Sequence, residues 1–448
     1  MEWKKIKLKS IFKQYRIEHR VQDDIVYKQV TISKHTGVSF RGEKLGKEIG
    51  RKRQFVIDLD LHPHTLMFVR QGVQDGSIGF APMEVNKCIV TENMPMFSVE
   101  DVDVEFIKSY IESSLFKDIL NSLSTKGAAQ KSIHEKELLE VEILIPESLE
   151  EQKAFGKLIK DSTINSNNIS TEITQQLDLI KNLRQAFLRE AMQGVLVSNE
   201  TSDNKTGADL LAEIQAEKAQ LVKEKKIKKP KPLAPITEEE IPFAIPENWT
   251  WCRLGEISYI TSGSTPSSDS FVEKGIPYFK MYNLKNQKID FWHKPQFIKE
   301  EVHNGSLKRC RLFPGDVIMN IVGPPLGKLA IIPNEFPEAN FNQAAVLIRS
   351  YNLNVNPFIF WYLNEMSAIN EIDTKGVAGQ ANISVTQAHE IKFPLPPLEI
   401  QERIVDKLDE LMGFCDALEE QVKQSQQTND LLLQQVLREA LGGKGKDV

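Results

Sequence analysis

The sequence predicts a mixed α/β protein in which two globular α/β domains are separated by a pair of long antiparallel coiled-coil helices, the halves related by a pseudo-two-fold internal repeat. Three observations predict it. The phrases FLREAMQG and VLREALGG recur, with Arg189 and Arg438 at an offset of 249 residues. Each phrase closes a long heptad-like run, and short β-rich stretches punctuated by Gly and Pro precede each run. A length of 448 residues exceeds one typical core, so two or more domains are expected.

Charged residues make up 26% of the chain and apolar ones 41%, a composition that excludes wholesale disorder. Met1 is followed by EWKKIKLKSIFKQYR, and no signal peptide or apolar span stands out. A cytoplasmic protein with no membrane partner is expected. Cys88, Cys252, Cys310 and Cys415 lie far apart without C-x-x-C pairs, so buried reduced thiols are expected rather than disulfides or zinc.

The first domain, residues 1–146, and the second, residues 247–396, open alike: Trp3, Leu8 and Ile11 match Trp249, Leu254 and Ile257. Each closes on a short apolar strand, and a long helix follows over residues 147–197 and 397–443. Thr125-Lys126-Gly127 matches Thr374-Lys375-Gly376, and Leu149-Glu150-Glu151-Gln152 matches Leu398-Glu399-Ile400-Gln401, so the repeat runs over about 70 residues. Ser148 and Glu151 suggest a capping box, and Pro397 suits a helical first turn.

In the second helix Ile404, Leu408, Leu411, Cys415, Leu418 and Val422 alternate steps of four and three, and Leu432 and Val436 resume after Ser425 and Asn429. The first helix repeats the pattern with Phe155, Ile159, Ile169, Ile173, Ile180, Leu183 and Phe187, broken by Ser162, Ser166 and Gln176. Such a narrow seam requires a helical partner. Antiparallel pairing sets Ser162 and Ser166 near Ser425 and Asn429. Parallel pairing would bury those groups against Leu411, Cys415 and Ile180, at roughly 1 to 3 kcal/mol for each unpaired polar group. Residues 198–246 form a linker whose prolines and segregated charge describe a tether.

The net charge of −6 conceals segregation. Residues 4–53 hold fifteen Lys/Arg against five Asp/Glu, and residues 271–328 hold ten against five, while acids collect in EKELLEVE at 135–142. A polyanion responds to such local excess rather than to the total. Two blocks suit DNA. HTGVSFRGEKLGKEIGRKRQ, residues 35–54, presents Arg41, Lys44, Lys47, Arg51, Lys52 and Arg53 in a glycine-bearing loop. YFKMYNLKNQKIDFWHK, residues 278–294, interleaves Lys280, Asn283, Lys285, Asn286 and Gln287 with aromatics such as Tyr282. Arg and Lys can pair guanine, Asn and Gln can pair adenine, and further cations hold phosphates. Lys126, Lys328 and Lys375, in glycine-containing turns, complete the candidate DNA contacts.

Catalytic motifs are missing from the sequence. GPPLGKL, residues 323–329, lacks the spacing and hydroxyl of a phosphate-binding loop, leaving a glycine-rich turn with Lys328 near a phosphate backbone. His62 and His64 in HPH have no further ligands at ordinary spacing, and Asn356-Pro357-Phe358 starts a helix. Neither catalytic nor metal-ligating residues are expected.

Taken together, LIPESLEEQ and LPPLEIQ, the long helices ending in LREA plus glycine, and the tether GADLLAEIQAEKAQLVKEKKIKKPKPLAPITEEEIPFAIPENW make the chain resemble the specificity subunit of type I restriction-modification enzymes. The likeness covers essentially the whole chain, departing at Pro146-Glu147-Ser148 from the Pro-Pro form of Pro396 and Pro397. It implies two target-recognition domains that each read half of a bipartite site in double-stranded DNA, with the helices as a ruler between them. It also implies two methyltransferase subunits, which bring S-adenosylmethionine and modify adenine, and ATP- and Mg-dependent restriction subunits that translocate DNA. No cofactor is expected in this chain. Arg189, Glu190, Arg438 and Glu439 would lie in the partner-docking faces. The alternative is a non-catalytic coiled-coil scaffold that binds proteins.

Overall fold

The structure, a computed structural model, describes residues 2–123, 132–323, 325–370, 372 and 382–441. Lys126, Lys375 and the Thr-Lys-Gly match around them lie outside the described residues, as do Pro324 and the final glycines Gly442 and Gly443. The chain divides into two compact units, one of Met1–Gln176 with Val422–Val448, the other Leu177–Gln421.

In the first unit, strand Trp3–Lys7 pairs antiparallel with Glu142–Pro146, Trp3 opposite Pro146. Lysines on one strand meet acids on or beside the other: Lys5 pairs with Glu142 at 2.5 Å, and Glu140 accepts from Lys7 at 2.7 Å and Lys9 at 2.6 Å. Hydrogen bonds from Lys7 and then Lys9 draw the Glu140 carboxyl from 4.5 down to about 2. A carboxyl so lowered contributes stability above its unfolded pKa and loses it as pH falls through the folded value. The stability difference between wild type and Glu140→Gln should therefore be complete at neutral pH, shrink below about 4.5, and vanish near pH 2, as followed by chemical denaturation.

The second unit repeats this joint with Thr250–Arg253 against Lys392–Leu395. Each unit then builds a four-stranded antiparallel sheet of the same topology. Its order is Phe12–Tyr15, Met96–Val99, Leu66–Phe68, Ile78–Phe80 in one, and Ser258–Ser262, Ala345–Ser350, Val317–Asn320, Leu329–Ile331 in the other. In chain order both sheets run first, fourth, second, third. Buried faces of these strands supply the cores: Phe68 and Phe97 lie under helix Val104–Glu112 in the first, and Val317, Met319 and Val346 lie under helix Asn356–Asn364 in the second.

The remaining sheets differ. The first unit adds five strands in the order Glu18–Arg20, Arg53–Val56, Ile89–Val90, Val26–Ser33, Gly37–Leu45. The second adds Phe271–Val272, Phe297–Ile298, Ile276–Phe279 and Asn340–Phe341, plus a hairpin of Leu284–Lys285 and Lys288–Ile289. One scaffold carries two different outer surfaces.

The long helices span Leu149–Met192 and Leu398–Leu441, 44 residues each. Antiparallel pairing is visible within each unit separately. In the first, Asn429 Nδ2 donates to the Ser166 carbonyl at 3.0 Å and to Ser170 Oγ at 3.2 Å, and Gln426 Nε2 reaches Ser170 Oγ at 3.3 Å. Ile159 meanwhile packs in one cluster with Leu437, Ala440 and Leu441. In the second, Arg184 bridges Asp416 at 2.6 Å and Glu419 at 2.9 Å, and Leu188 and Met192 share a core with Ile404, Leu408 and Met412.

Of the expected seam residues, Ile159, Ile173, Ile180, Ile404 and Leu408 are buried, and Phe155, Leu183, Phe187, Leu411, Leu418, Val422 and Val436 are half-buried. Two expectations fail. Ile169 is 43% exposed and Leu432 is 59% exposed. The seam passes instead through Ser166, Ser170 and Ile173, and through Gln426, Asn429 and Leu433. Hydrogen bonds across the seam satisfy these polar groups, so no apolar residue is required at those levels.

Helix ends also depart in detail. Ser148 Oγ accepts from Glu150 N–H at 3.2 Å instead of forming the box with Glu151. Past Met192 the chain turns at Gly194, φ +71°, with Val195 N–H on Glu190 O and Gly194 N–H on Ala191 O. That Schellman closure needs the left-handed conformation glycine adopts freely. A Cβ there would stand 2.4 Å from the Pro246 ring, so the repeated glycine also admits the tether's last proline. All four cysteines are free and buried, and burial lifts the Cys252 thiol well above its ordinary range.

Candidate nucleic-acid interface

Residues 35–54 do not form a loop. They carry strand Gly37–Leu45, which pairs with Val26–Ser33, then the short turn Gly46–Glu48, then the start of Arg53–Val56. Alternating Val30, Ile32 and Val38 bury one face of this pair, a tertiary contact that overrides the glycines. The register places Gln29 opposite Gly42 and Val30 opposite Phe40, so Arg41 is the extra residue of a β-bulge. Gly42 takes φ +136° there, and a bulge re-aims the side chain it carries.

Much of the N-terminal positive charge is already matched. Lys5, Lys7 and Lys9 pair with Glu142 and Glu140, Lys13 with Glu100, Lys52 with Asp23, and Arg53 with Glu18. Lys52 also donates to Gly46 O at 2.9 Å, and Arg53 lies 6.0 Å from the Phe55 ring. These two of the expected DNA contacts therefore brace the sheet. Arg41, Lys44, Lys47 and Arg51 are exposed, and among the described residues their side chains have no hydrogen-bond or ion-pair partner. Glu18, Asp23, Glu100, Glu140 and Glu142 thus separate structural cations from available ones. Nothing in the sequence alone marks which lysine faces which acid.

In the second unit Asn283 is fully buried and cannot reach a base. Its Oδ1 accepts from Lys280 N–H at 2.9 Å, and its Nδ2 donates to Asp290 O at 3.0 Å and Phe291 O at 3.3 Å. It closes the loop that raises the hairpin. Lys280 sits 5.6 Å from the Phe271 ring, and half-buried Tyr282 lies under Lys294 at 5.9 Å. Lys285 pairs with Asp290 at 2.8 Å, which holds that carboxyl below the usual range. Asn286 is exposed at the hairpin tip. Lys328 arrives from the loop after Val317–Asn320, its N–H held by Asn320 Oδ1 at 2.6 Å, and with Lys285, Asn286 and Gln287 it borders an open cavity of about 300 Å³. Asn320 Nδ2 ties the same loop through Pro325 O at 3.0 Å.

The structure also gives a role to residues that sequence spacing had not singled out. Gln152 and Gln401 occupy matching places in LEEQ and LEIQ, and both are 1% exposed. Gln152 Nε2 donates to Pro146 O and Gln401 Nε2 to Pro396 O, each at 2.8 Å. They fasten each long helix to the closing strand of its sheet. Their exact recurrence was the available signal. At the other end of the helices, Arg189 and Glu190, and Arg438 and Glu439, are exposed. Arg189 borders a cavity of about 660 Å³ with Phe243, Arg253 and Tyr362.

His62 stacks on Tyr15 with ring centroids 3.9 Å apart, and no group of three or more metal-ligating side chains occurs among the described residues. Asn356 is buried, accepting from Ser350 N–H and donating to Gly315 O, both at 2.8 Å. No helix among the described residues is long and apolar enough to cross a membrane.

Residues 246–425 match the family model described as a type I restriction modification DNA specificity domain. The EcoAI type I restriction enzyme specificity subunit of Escherichia coli is 35% identical over 253 residues, 55% of this chain and 42% of that one. The EcoEI subunit of the same organism is 28% identical over 269 residues, with the same coverage. The chain thus spans less than half the length of these relatives. The EcoDI subunit is 22% identical over 348 residues, 77% of this chain and 70% of that one. Among solved structures, the HsdS subunit from Thermoanaerobacter tengcongensis superposes with a TM-score of 0.58 at 18% identity, over 99% of this chain and 97% of that one. A chain from a type I R-M system gives 0.64 at 17%, over 98% and 97%. At such identity these two establish the shared fold. The duplicated joint, the matched domain and the curated relatives together make the chain similar to type I restriction-modification specificity subunits.

Proposed function

We propose that this chain is the DNA-reading, non-catalytic subunit of a type I restriction-modification complex. Residues 1–146 and 247–396 are its target-recognition domains, and each reads one half of a bipartite duplex site. The observation that carries this reading is the pairing of one repeated scaffold with two unlike outer sheets. Identical sheet topology and a similar Gln-to-strand joint support two related docking faces. Different outer sheets give two different readers. A protein-binding scaffold needs the first property but has no use for unpaired cations on a bulged strand.

The helices Leu149–Met192 and Leu398–Leu441, around Arg189, Glu190, Arg438 and Glu439, dock two methyltransferase subunits. Those subunits hold S-adenosylmethionine and methylate an adenine extruded from the duplex. Restriction subunits supply ATP- and Mg-dependent translocation and cleavage. This chain selects the address, working in the cytoplasm.

Duplex binding by the full-length chain in complex with methyltransferase, measured against salt, tests the reading. The affinity should fall with a logarithmic slope of about −0.9 for each phosphate neutralised. Replacing Arg41, Lys44, Lys47 and Arg51 together by alanine should flatten the slope by roughly 3 to 4 without altering which second half-site is preferred. Salt-independent binding, or none, would favour the scaffold.

A further inference from the structure

The hairpin of the second unit carries an unusual turn. Leu284–Lys285 pairs with Lys288–Ile289, Lys285 opposite Lys288, leaving Asn286 and Gln287 as a two-residue connection. Both have positive φ, 50° and 57°, as a type I′ turn requires. Asn is favoured at the first such position, but the second is ordinarily glycine, and a glutamine there is strained. Strained non-glycine residues persist where surrounding structure over-determines them, and they cluster at functional sites.

Gln287 is over-determined. Its Oε1 accepts from Leu329 N–H at 2.8 Å, on the strand beside Val317–Asn320, and its Nε2 donates to Asn364 Oδ1 at 2.8 Å, at the end of helix Asn356–Asn364. Two elements of the part of the scaffold that both units share thus hold the hairpin tip in one orientation. Nothing about folding a six-residue hairpin demands this, since glycine would make the same turn without strain. What the clamp achieves is a fixed direction for the preceding residue, Asn286, which is exposed and borders the open cavity with Lys285 and Lys328.

We propose that this hairpin enters the major groove of the second half-site, that Asn286 reads one base edge there, and that Gln287 is the positioning residue that sets its aim. This rests on the DNA-reading function proposed above. A two-stranded ribbon fits the major groove, and a carboxamide presents one donor and one acceptor, the complement of adenine N7 and N6. Exposed Lys288 and half-buried Lys328 flank the tip and meet the phosphates on either side.

The test compares methylomes of cells expressing the chain with its methyltransferase subunit. Asn286→Asp replaces the donor by a second acceptor, so preference at one base pair of the second half-site should move from adenine toward cytosine. Discrimination there should change by about fivefold to 150-fold, the range for one bidentate contact. Gln287→Gly keeps the turn and removes the clamp. Its unfolding midpoint should fall by only a few degrees, because relief of the strained turn offsets part of the lost Leu329 N–H bond, while selection at that same base pair relaxes. The first half-site, read by the other unit, is the internal control and should be unaltered by both variants. A second half-site unchanged in both variants overturns the proposal while leaving the DNA-reading function intact, and so does an equal change in both half-sites. A wild-type chain that directs methylation to no bipartite sequence overturns both.

Discussion

Replacing Arg349 by leucine should destabilise the second unit by about 3 to 5 kcal/mol, the cost of stranding one partner of a buried ion pair. Asp316 is 1% exposed. Its Oδ1 accepts from Arg349 Nε at 2.6 Å, and its Oδ2 accepts from Arg349 Nη2 at 2.5 Å and from Phe313 N–H at 2.6 Å. Arg349 in turn lies 4.8 Å from the Phe313 ring and donates to Arg311 O at 3.0 Å. Without the guanidinium, a carboxylate sealed beneath strand Val317–Asn320 keeps a single backbone donor. For a unit of this size the melting transition should fall by roughly 6 to 20 °C in calorimetry. Adding Asp316→Asn should recover more than half of the loss, because the charge disappears while the acceptor for Phe313 N–H remains. A single variant that melts like wild type would show that the pair is hydrated in solution. The corresponding place in the first unit, just ahead of strand Leu66–Phe68, holds the neutral Thr65, fully buried and bonded to His62 O at 2.8 Å. Charge at this position therefore belongs to one half and not to the shared scaffold.

The repeated glutamines should prove unequal despite identical placement. Gln152 bonds at both ends of its carboxamide: Nε2 to Pro146 O at 2.8 Å, and Oε1 from Asp103 N–H at 2.9 Å. Asp103 itself caps helix Val104–Glu112 through Phe106 N–H. Gln152→Leu leaves a donor and an acceptor unpaired, at about 1 to 3 kcal/mol for each group, so roughly 2 to 6 kcal/mol in all. Gln401 bonds only through Nε2, and its buried Oε1 has no partner among the described residues. Gln401→Leu orphans one carbonyl but also removes one unpaired oxygen, so the net cost should be about 1 kcal/mol or less. Hydrogen exchange of strands Glu142–Pro146 and Lys392–Leu395 in the two variants would resolve the difference. Equal acceleration in both strands would refute the asymmetry. Its structural origin lies one turn further on, where Gly156 lets the first helix approach Phe106 N–H, 2.8 Å from where a Cβ would be. The second helix has Val405 at that place.

Several features of this chain follow from local rules that the residues obey whatever surrounds them. An offset of 249 residues aligned both the LREA phrases and the glutamines, so the duplication was readable before any fold. Alternating steps of four and three required helical partners, and Ser166 opposite Asn429 required those partners to run oppositely, since only that direction pairs the polar groups. Both units display that direction. The loss of Ile169 and Leu432 from the seam was not readable, because hydrophobicity favours them whereas a satisfied hydrogen-bond network can take their place. Residues 35–54 looked like a loop because glycine and charge dominate the segment. Packing of Val38 against Val30 and Ile32 made it a strand, with the glycines at its start, its bulge and its turn.

By itself, then, the sequence determined the repeat, the paired rods, the two globular segments and the local positive excess in residues 4–53 and 271–328. Only the tertiary structure decided which cations remain available once Glu140, Glu142, Asp23 and Glu18 have taken their share, that Asn283 is a buried brace, and that Asn286 is held at a clamped tip. The physical reason is range. Periodicity and repetition are properties of neighbours along the chain, whereas the pairing of Lys7 with Glu140 and the clamp of Gln287 on Asn364 join groups 133 and 77 residues apart.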